Sequence, residues 1–221
     1  MLLLAFDTAT PAVTAAVCAD DGKNVNVRAS ASSVDARRHG ELLTPTIRRV
    51  LDEAGASPGD LTHVAVGIGP GPYTGLRVGL ATAQALAGSL GIPCHGVPTL
   101  DAVAFASGRR EPFIAVSDAR RKEVFWAHYA NAATRTGEIA VDRPADVATG
   151  GLPVVGHGAW LHADVFGVSA EDAEPLYPSA AALGEVALGR LNAGEELPAA
   201  RPLYLRRPDA AQPGSPKKVR Q

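Results

Sequence analysis

The sequence predicts an α/β protein made of two related lobes. Two observations support this prediction. Both halves of the chain open with strand-like runs joined by short turns, and both then continue into strand–helix units. A length of 221 residues also suits either one large domain or two small lobes. We therefore expect lobes at residues 1–107 and 108–207, followed by a flexible basic tail at 208–221.

The first half opens with three strand-like runs and then alternates helices with strands. The sequence Asp21-Gly22 between the second and third runs is a strong hairpin signal. In the first predicted helix the apolar residues form one stripe, and Pro45 lies inside it. The predicted strands are Leu2–Thr8, Ala12–Asp20, Lys23–Ala29, Thr62–Ile68 and Pro93–Val97, and the predicted helices are His39–Ala54, Leu76–Leu90 and Thr99–Ala106.

The second half begins in a similar way. Strands are predicted at Pro112–Ser117 and Glu123–Ala130, with a turn between them, and a third strand near Val154 leads into a glycine turn. A helix at Ala180–Leu191 follows, and Ser179 is in position to cap it.

The charge balance argues against a protein that holds nucleic acid by its own field. The chain carries 21 Lys and Arg against 23 Asp and Glu, a formal net charge of -2. Cys18 and Cys94 lie in apolar, strand-like contexts without a CxxC pair, which is typical of buried thiols. No signal peptide or membrane span is expected, because the apolar stretch Val78–Leu100 is interrupted by polar residues and a Gly-Ile-Pro break. These features favour a soluble, cytoplasmic protein.

The most unusual segment is the glycine-rich run from Gly67 to Arg77, between a predicted strand and a predicted helix. Its glycines permit the positive φ angles of a tight turn, and Thr74 is in position to cap the helix. Free N–H groups at the helix start could bind an anion. Alternatively, the glycines only allow close packing. The residues concerned are Gly69, Gly71, Thr74, Gly75 and Arg77.

The helix after this loop is apolar around nearly its whole circumference, which predicts burial on all sides. One sheet of a small lobe covers only one face of a helix, so the other lobe or another polypeptide must cover the rest. The small residues Gly79, Ala83 and Ala87 lie four apart and would let a second helix approach closely. An ordinary core helix is the alternative.

Segments along almost the whole chain resemble, in order, those of the TsaB (YeaZ) family of bacterial proteins. They are Leu4–Thr10, Arg38–Leu43, Gly67–Arg77, Asp118–Arg121 with Glu123-Val124, and Pro202–Arg206. The Gly-Pro-Gly…Thr-Gly-Leu-Arg run is specific to this group. Pro72-Tyr73 stands where the family more often has Ser-Phe, which puts any role of a loop serine hydroxyl in question. The family belongs to the machinery that makes the threonylcarbamoyl modification on adenosine 37 of tRNAs.

The resemblance implies an actin/sugar-kinase/Hsp70-like (ASKHA) fold, in which two lobes carry related mixed sheets flanked by helices. It also implies a non-catalytic subunit that dimerises with TsaD, the paralogous threonylcarbamoyltransferase, and is required for the modification. In such complexes two N-terminal helices pack against their equivalents in TsaD. On this sequence the contact residues would be His39, Leu42, Leu43, Thr46, Ile47, Val50, Leu76, Gly79, Leu80, Ala83, Leu86 and Ala87.

The same resemblance suggests a wider set of partners. A TsaE-type ATPase would join the larger complex, and tRNA would be held through the complex. Alone, the chain would homodimerise through the same face, because burying an exposed apolar surface against a second copy is favourable. No cofactor is expected in isolation, and ATP or ADP would bind only in the complex.

The sequence offers no complete active site. TsaD holds its metal with a His-x-x-x-His pair, whereas no two of the six histidines here are four residues apart. We therefore expect no metal site and no catalytic residue. Asp7 could bind magnesium, or could be a buried acid hydrogen-bonded by Thr8 and Thr10. Two other functions stay open: a small-molecule kinase or ATPase of the same fold, which would bind magnesium-ATP, and a metallopeptidase, which would need clustered ligands.

Overall fold

The computed structural model describes residues 1–22 and 24–205, and the N-terminal half of the chain forms a five-stranded mixed sheet. Its strand order is β3-β2-β1-β4-β5. The first three strands are antiparallel neighbours, whereas β4 and β5 join parallel through helical crossovers. The strands are β1 (Leu2–Asp7), β2 (Ala12–Asp20), β3 (Val25–Val34), β4 (His63–Gly67) and β5 (Cys94–Val97).

A second mixed sheet follows in the second half. Its order is β10-β6-β7-β8, with β9 also paired to β7, and β10 runs parallel to β6. The strands are β6 (Phe113–Asp118), β7 (Val124–Asn131), β8 (Thr134–Arg135), β9 (Ala140–Asp142) and β10 (Val154–Val155). Two mixed sheets with flanking helices confirm the predicted fold class.

The described residues contain six α-helices, and the predicted positions of the long ones are confirmed with one shift. They are α1 (His39–Glu53), α2 (Tyr73–Leu90), α3 (Thr99–Ala106), α4 (His157–Leu161), α5 (Ala163–Phe166) and α6 (Ala180–Asn192). Helix α2 begins three residues before the predicted start. Thr74 therefore lies inside its first turn, and the predicted Thr74 cap is wrong. The Ser179 cap is confirmed, since its hydroxyl accepts from the Ala182 N–H at 3.4 Å.

Each sheet is covered by a helix from the other half of the chain. Helices α1 and α2 pack on one face of the first sheet, and α6 packs on the opposite face against β1 and β2. Helix α3 contributes Leu100, Val103 and Ala104 to the core of the second sheet. The predicted boundary at residues 107 and 108 lies between α3 and β6, and the division into lobes stays a prediction. The predicted tail at 208–221 lies outside the described residues.

A buried ionic cluster joins these crossing helices. The Asp101 carboxylate of α3 is 4% exposed and accepts hydrogen bonds from Arg135 of β8 at 3.0 Å and Arg190 of α6 at 3.1 Å. The Tyr129 hydroxyl of β7 also donates to it, at 2.9 Å. Burial raises the pKa of Tyr129, so this hydroxyl stays a donor. One carboxylate thus ties α3, α6 and the second sheet together.

Two further expectations can be compared with the structure. Strand β3 extends to Val34, five residues beyond the predicted end, because it pairs with the whole length of β2. Across the described residues, no helix combines the length and the apolar character needed to span a bilayer.

Candidate partner-binding site

The glycine loop packs tightly against the turn between β1 and β2. A Cβ atom at Gly71 would overlap the Ala9 carbonyl, and one at Gly75 would overlap the Thr8 carbonyl. Gly69 has a φ of 88°, in the region that favours glycine, and a cis peptide bond joins it to Pro70. The geometry thus gives a packing role to Gly71 and Gly75.

Thr8 is the residue that holds α2 in place. Thr8 is 1% exposed, and its hydroxyl donates to the Gly75 carbonyl at 2.7 Å and accepts from the Gly79 N–H at 3.0 Å. These are two groups that an α-helix normally pairs with one another, so the hydroxyl bridges them. A Cβ at Gly79 would lie 2.5 Å from the Thr8 hydroxyl oxygen. The close approach of Thr8, which directly follows β1, thus accounts for the small residue at Gly79, and the approach of a second helix stays a prediction.

Asp7 at the end of β1 is fully buried, and both of its carboxylate oxygens accept hydrogen bonds from the protein. The Ala9 N–H donates to Oδ1 at 2.6 Å, and the Thr99 hydroxyl donates to Oδ2 at 2.7 Å. The predicted partners Thr8 and Thr10 are wrong, because their hydroxyls bond to backbone groups elsewhere. Burial raises the pKa of Asp7, and the hydrogen bonds from Thr99 and Ala9 offset part of this effect.

Replacing Asp7 with asparagine should change how stability depends on pH. A carboxyl whose pKa is higher in the folded state binds more protons folded than unfolded, so the wild type loses stability as pH rises through this range. The variant lacks this loss. We expect the stability of Asp7→Asn relative to the wild type to increase from about pH 4 towards neutrality in urea unfolding. A difference that stays constant with pH, or increases towards acid, would contradict the assignment.

The structure separates the twelve predicted contact residues into two groups. Eight of them are buried in the chain's own core and present little surface to a partner, and their role in an interface stays a prediction: Leu43, Ile47, Val50, Leu76, Gly79, Leu80, Ala83 and Ala87. Four are half-buried at the surface of α1 and α2: His39, Leu42, Thr46 and Leu86. Among these, His39 donates from Nε2 to the Thr10 carbonyl at 2.7 Å, so it anchors the start of α1.

Helix α2 nevertheless has an open outward face, whose exposed residues are not among the predicted ones. Ala81, Ala85 and Gly88 are exposed on it, and Val78 and Thr82 are half-buried beside them. Arg77 is the one charged residue of the helix. The buried face packs on the sheet, so the expectation that one sheet covers only one face of this helix is confirmed.

At its first turn, α2 carries an exposed aromatic stack. The Tyr73 ring lies against Tyr204 with centroids 5.4 Å apart, and the Arg77 guanidinium sits 3.6 Å above the Tyr73 centroid. Arg77 is thus held in a cation–π contact. Thr74 and Gly75 line a small cleft of about 230 Å³ together with Arg37 and Arg120. Anion binding by the loop stays a prediction.

The histidines do not combine into a ligand set within the described residues. His63 stacks on His95 with centroids 5.5 Å apart, and His157 stacks on Tyr177 at 5.0 Å. No group of three His, Cys, Asp or Glu side chains is arranged to hold a metal in that part of the chain.

Comparison with known proteins gives consistent matches. Residues 31–159 match the family model described as TsaD: tRNA N6-adenosine threonylcarbamoyltransferase. An uncharacterized protein of Mycobacterium leprae is 44% identical over 95% of this chain and 56% of its own length. The Escherichia coli tRNA threonylcarbamoyladenosine biosynthesis protein TsaB is 36% identical over 58% of this chain. The chain spans 55% of that E. coli protein.

A solved structure resembles the fold over nearly its whole extent. YeaZ from Pseudomonas aeruginosa superposes with a TM-score of 0.77 at 29% identity, covering 92% of this chain and 99% of that one. This likeness extends across both mixed sheets.

Proposed function

The chain belongs to the TsaB (YeaZ) family, and on that basis we propose that it is a non-catalytic subunit that pairs with a TsaD-type transferase in forming threonylcarbamoyladenosine in tRNA. The observation that carries the proposal is the outward face of α2. From Val78 to Leu90 the helix contains no charged residue, although Ala81, Ala85 and Gly88 are exposed. Helix faces that stay in water normally carry charged residues, so the uncharged face of α2 favours contact with another protein.

Helix α1 provides a contrast within the same layer. Its outward residues include Arg48, Arg49, Asp52 and Glu53, and Arg49 pairs with Glu53 at 2.7 Å. Leu42 and Thr46 are half-buried on the helix that neighbours α2. We therefore place the centre of the interface on α2 and its edge on Leu42 and Thr46 of α1.

The proposed partner is of the TsaD type because the matching family model describes a TsaD transferase. A partner with the same fold would present equivalent helices, and two such pairs can pack together as a helical bundle. A TsaE-type ATPase would join this pair in a larger complex, and tRNA would be bound by the complex. The isolated chain would need no cofactor, with ATP or ADP binding only in the complex.

The region around Asp7 supports a non-catalytic role. Both Asp7 oxygens accept hydrogen bonds from protein donors, and the β1–β2 turn fills the space beside Gly71 and Gly75. Asp7 is thereby held by the β1–β2 turn and by α3, and Gly71 and Gly75 pack against that turn.

The proposal is tested by size-exclusion chromatography of the chain with and without the TsaD paralogue of the same organism. We expect one heterodimer peak, and threonylcarbamoyl transfer to tRNA by the mixture but not by this chain alone. Separate elution of the two proteins would contradict the pairing. Transfer by this chain alone would contradict the non-catalytic role.

In the absence of TsaD, we expect the chain to form homodimers through the same face of α2. The exposed, uncharged surface would then be covered by its own copy in an isologous interface. Sedimentation velocity should show a concentration-dependent dimer, and Ala85→Arg should shift it to monomer. A wild type that stays monomeric, or a variant that still dimerises, would contradict this prediction.

A further inference from the structure

A groove of about 500 Å³ opens on the other face of the first sheet, far from the outward face of α2. Strands β2 and β3 form its floor, and the segment from Glu174 to Ser179 forms its wall as the chain enters α6. Its volume lies within the usual range for small-molecule sites. The floor and wall contribute five hydroxyl groups, from Thr14, Ser30, Ser32, Tyr177 and Ser179.

Thr14 provides the strongest indication of a ligand. It is 3% exposed and lines the groove, yet its hydroxyl has no hydrogen-bond partner in the described structure. Leaving a buried polar group without a partner is costly, so such groups usually form a hydrogen bond to protein, water or a ligand. Ser32 lies directly opposite Thr14 across the β2–β3 ladder, which places a second hydroxyl on the same face.

The start of α6 adds hydrogen-bond donors at one side of the groove. This helix is 13 residues long, and Ser179 and Ala180 at its N-terminus line the groove. The Ser179 hydroxyl satisfies only the Ala182 N–H, at 3.4 Å. Helix N-termini present further N–H groups that favour an oxygen acceptor.

The charge of the lining restricts the class of ligand. Among its residues the only charged group is the Glu174 carboxylate, and no Lys, Arg or His is present in the lining. A phosphate would therefore meet a carboxylate and no cation. Hydroxyl groups both donate and accept, and a carboxylate accepts from vicinal diols. The half-buried Pro175 and Tyr177, whose ring also stacks on His157, offer apolar surface for a flat or puckered ring.

We propose that this groove binds a neutral polyhydroxylated molecule, either a ribonucleoside or a free sugar, with the Thr14 hydroxyl as the buried hydrogen-bonding group. Both kinds of ligand carry vicinal hydroxyl groups. Adenosine represents the ribonucleoside and methyl β-D-ribofuranoside the free sugar. In the first case adenosine binds more tightly, because its base adds stacking surface. In the second case the two probes bind alike.

The test is a titration of the full-length chain followed by backbone amide chemical shifts. We expect saturable shifts at Thr14, Ser32 and Ser179 with adenosine, methyl β-D-ribofuranoside or both below about 10 mM. Thr14→Val keeps the side-chain shape and removes only an unpartnered hydroxyl, so it should fold normally and bind at least about tenfold more weakly. Thr82→Val on α2, outside the groove, is the matched control and should bind like the wild type.

A second pair of variants tests the location independently of Thr14. Ser32→Tyr should fill the groove and abolish the shifts, whereas Asn26→Tyr, on an exposed position of the same strand outside the lining, should leave them unchanged. The proposal is overturned if neither probe binds, if Thr14→Val binds like the wild type, or if adenosine 5′-monophosphate binds more tightly than adenosine. None of these results bears on association with TsaD.

Discussion

Replacing Asp101 with alanine is expected to lower the free energy of unfolding by about 3 kcal/mol. The substitution leaves Arg135 and Arg190 without their shared carboxylate and removes the acceptor of the Tyr129 hydroxyl. Breaking a buried ion pair typically costs about 3–5 kcal/mol. The lower end applies because the arginine side chains are 26% and 28% exposed and can reach water.

Urea unfolding with constant m-value measures this effect. Glu41→Ala is the control, since Glu41 forms an ion pair with Arg38 in which both side chains are mostly exposed, and it should cost less than about 1 kcal/mol. If Asp101→Ala and Glu41→Ala cost the same, the cluster does not join α3 and α6 as described.

Replacing Gly75 with alanine should destabilise the protein by about 2–3 kcal/mol although alanine is the better helix former. The added Cβ would overlap the Thr8 carbonyl, and the ring of His39 lies 3.3 Å from the same position. Since the obstacle is backbone, either the β1–β2 turn or the first turn of α2 must move. That movement would also disturb the Thr8 hydroxyl bridge to Gly79.

Gly88→Ala in the same helix is the matched control. A Cβ at Gly88 meets nothing within 4 Å, so the change should stabilise the protein by about 0.5–1 kcal/mol. Opposite signs for the two glycine substitutions in thermal or urea unfolding are the expected result. If both substitutions change stability in the same direction, close packing does not require glycine at Gly75.

The course of the chain was largely predictable from sequence periodicity. The Asp21-Gly22 turn, the apolar stripe of α1 and the Ser179 cap lie where local patterns indicate them. These features depend on neighbours within a few residues, which a sequence shows directly. The early start of α2 is different, because Pro72 precedes the helix where no side chain caps it.

The sequence indicates which helices would form the candidate interface, but not which of their residues reach the surface. Helix α2 is apolar on all sides, so its sequence does not reveal which side lies on the sheet. In the structure Gly79 and Ala83 are buried, and Thr8 and Val66 of β4 lie close to Gly79. Consequently a substitution at Ala83 would test folding, whereas Ala85 tests the surface. The composition of α2 indicated an excess of apolar surface, but only the tertiary structure shows which side of the helix is exposed.

The long-range polar contacts were not predictable from the sequence. Thr8 and Gly75 are 67 residues apart, and Asp101 and Arg190 are 89 apart. No local pattern pairs such residues. The sequence of β2 likewise gives no sign that the Thr14 hydroxyl would be buried without a hydrogen-bond partner.

The most direct test of the central claim is calorimetric titration of the TsaD paralogue with three forms of this chain. Ala85→Arg places a charge on the uncharged face of α2, and Ala193→Arg places the same charge on an exposed alanine at the end of α6. We predict that the wild type and Ala193→Arg bind TsaD equally, and that Ala85→Arg binds at least about 30-fold more weakly with an unchanged melting temperature. Equal binding by all three forms would contradict the assignment of the face, and binding by none would contradict the partner.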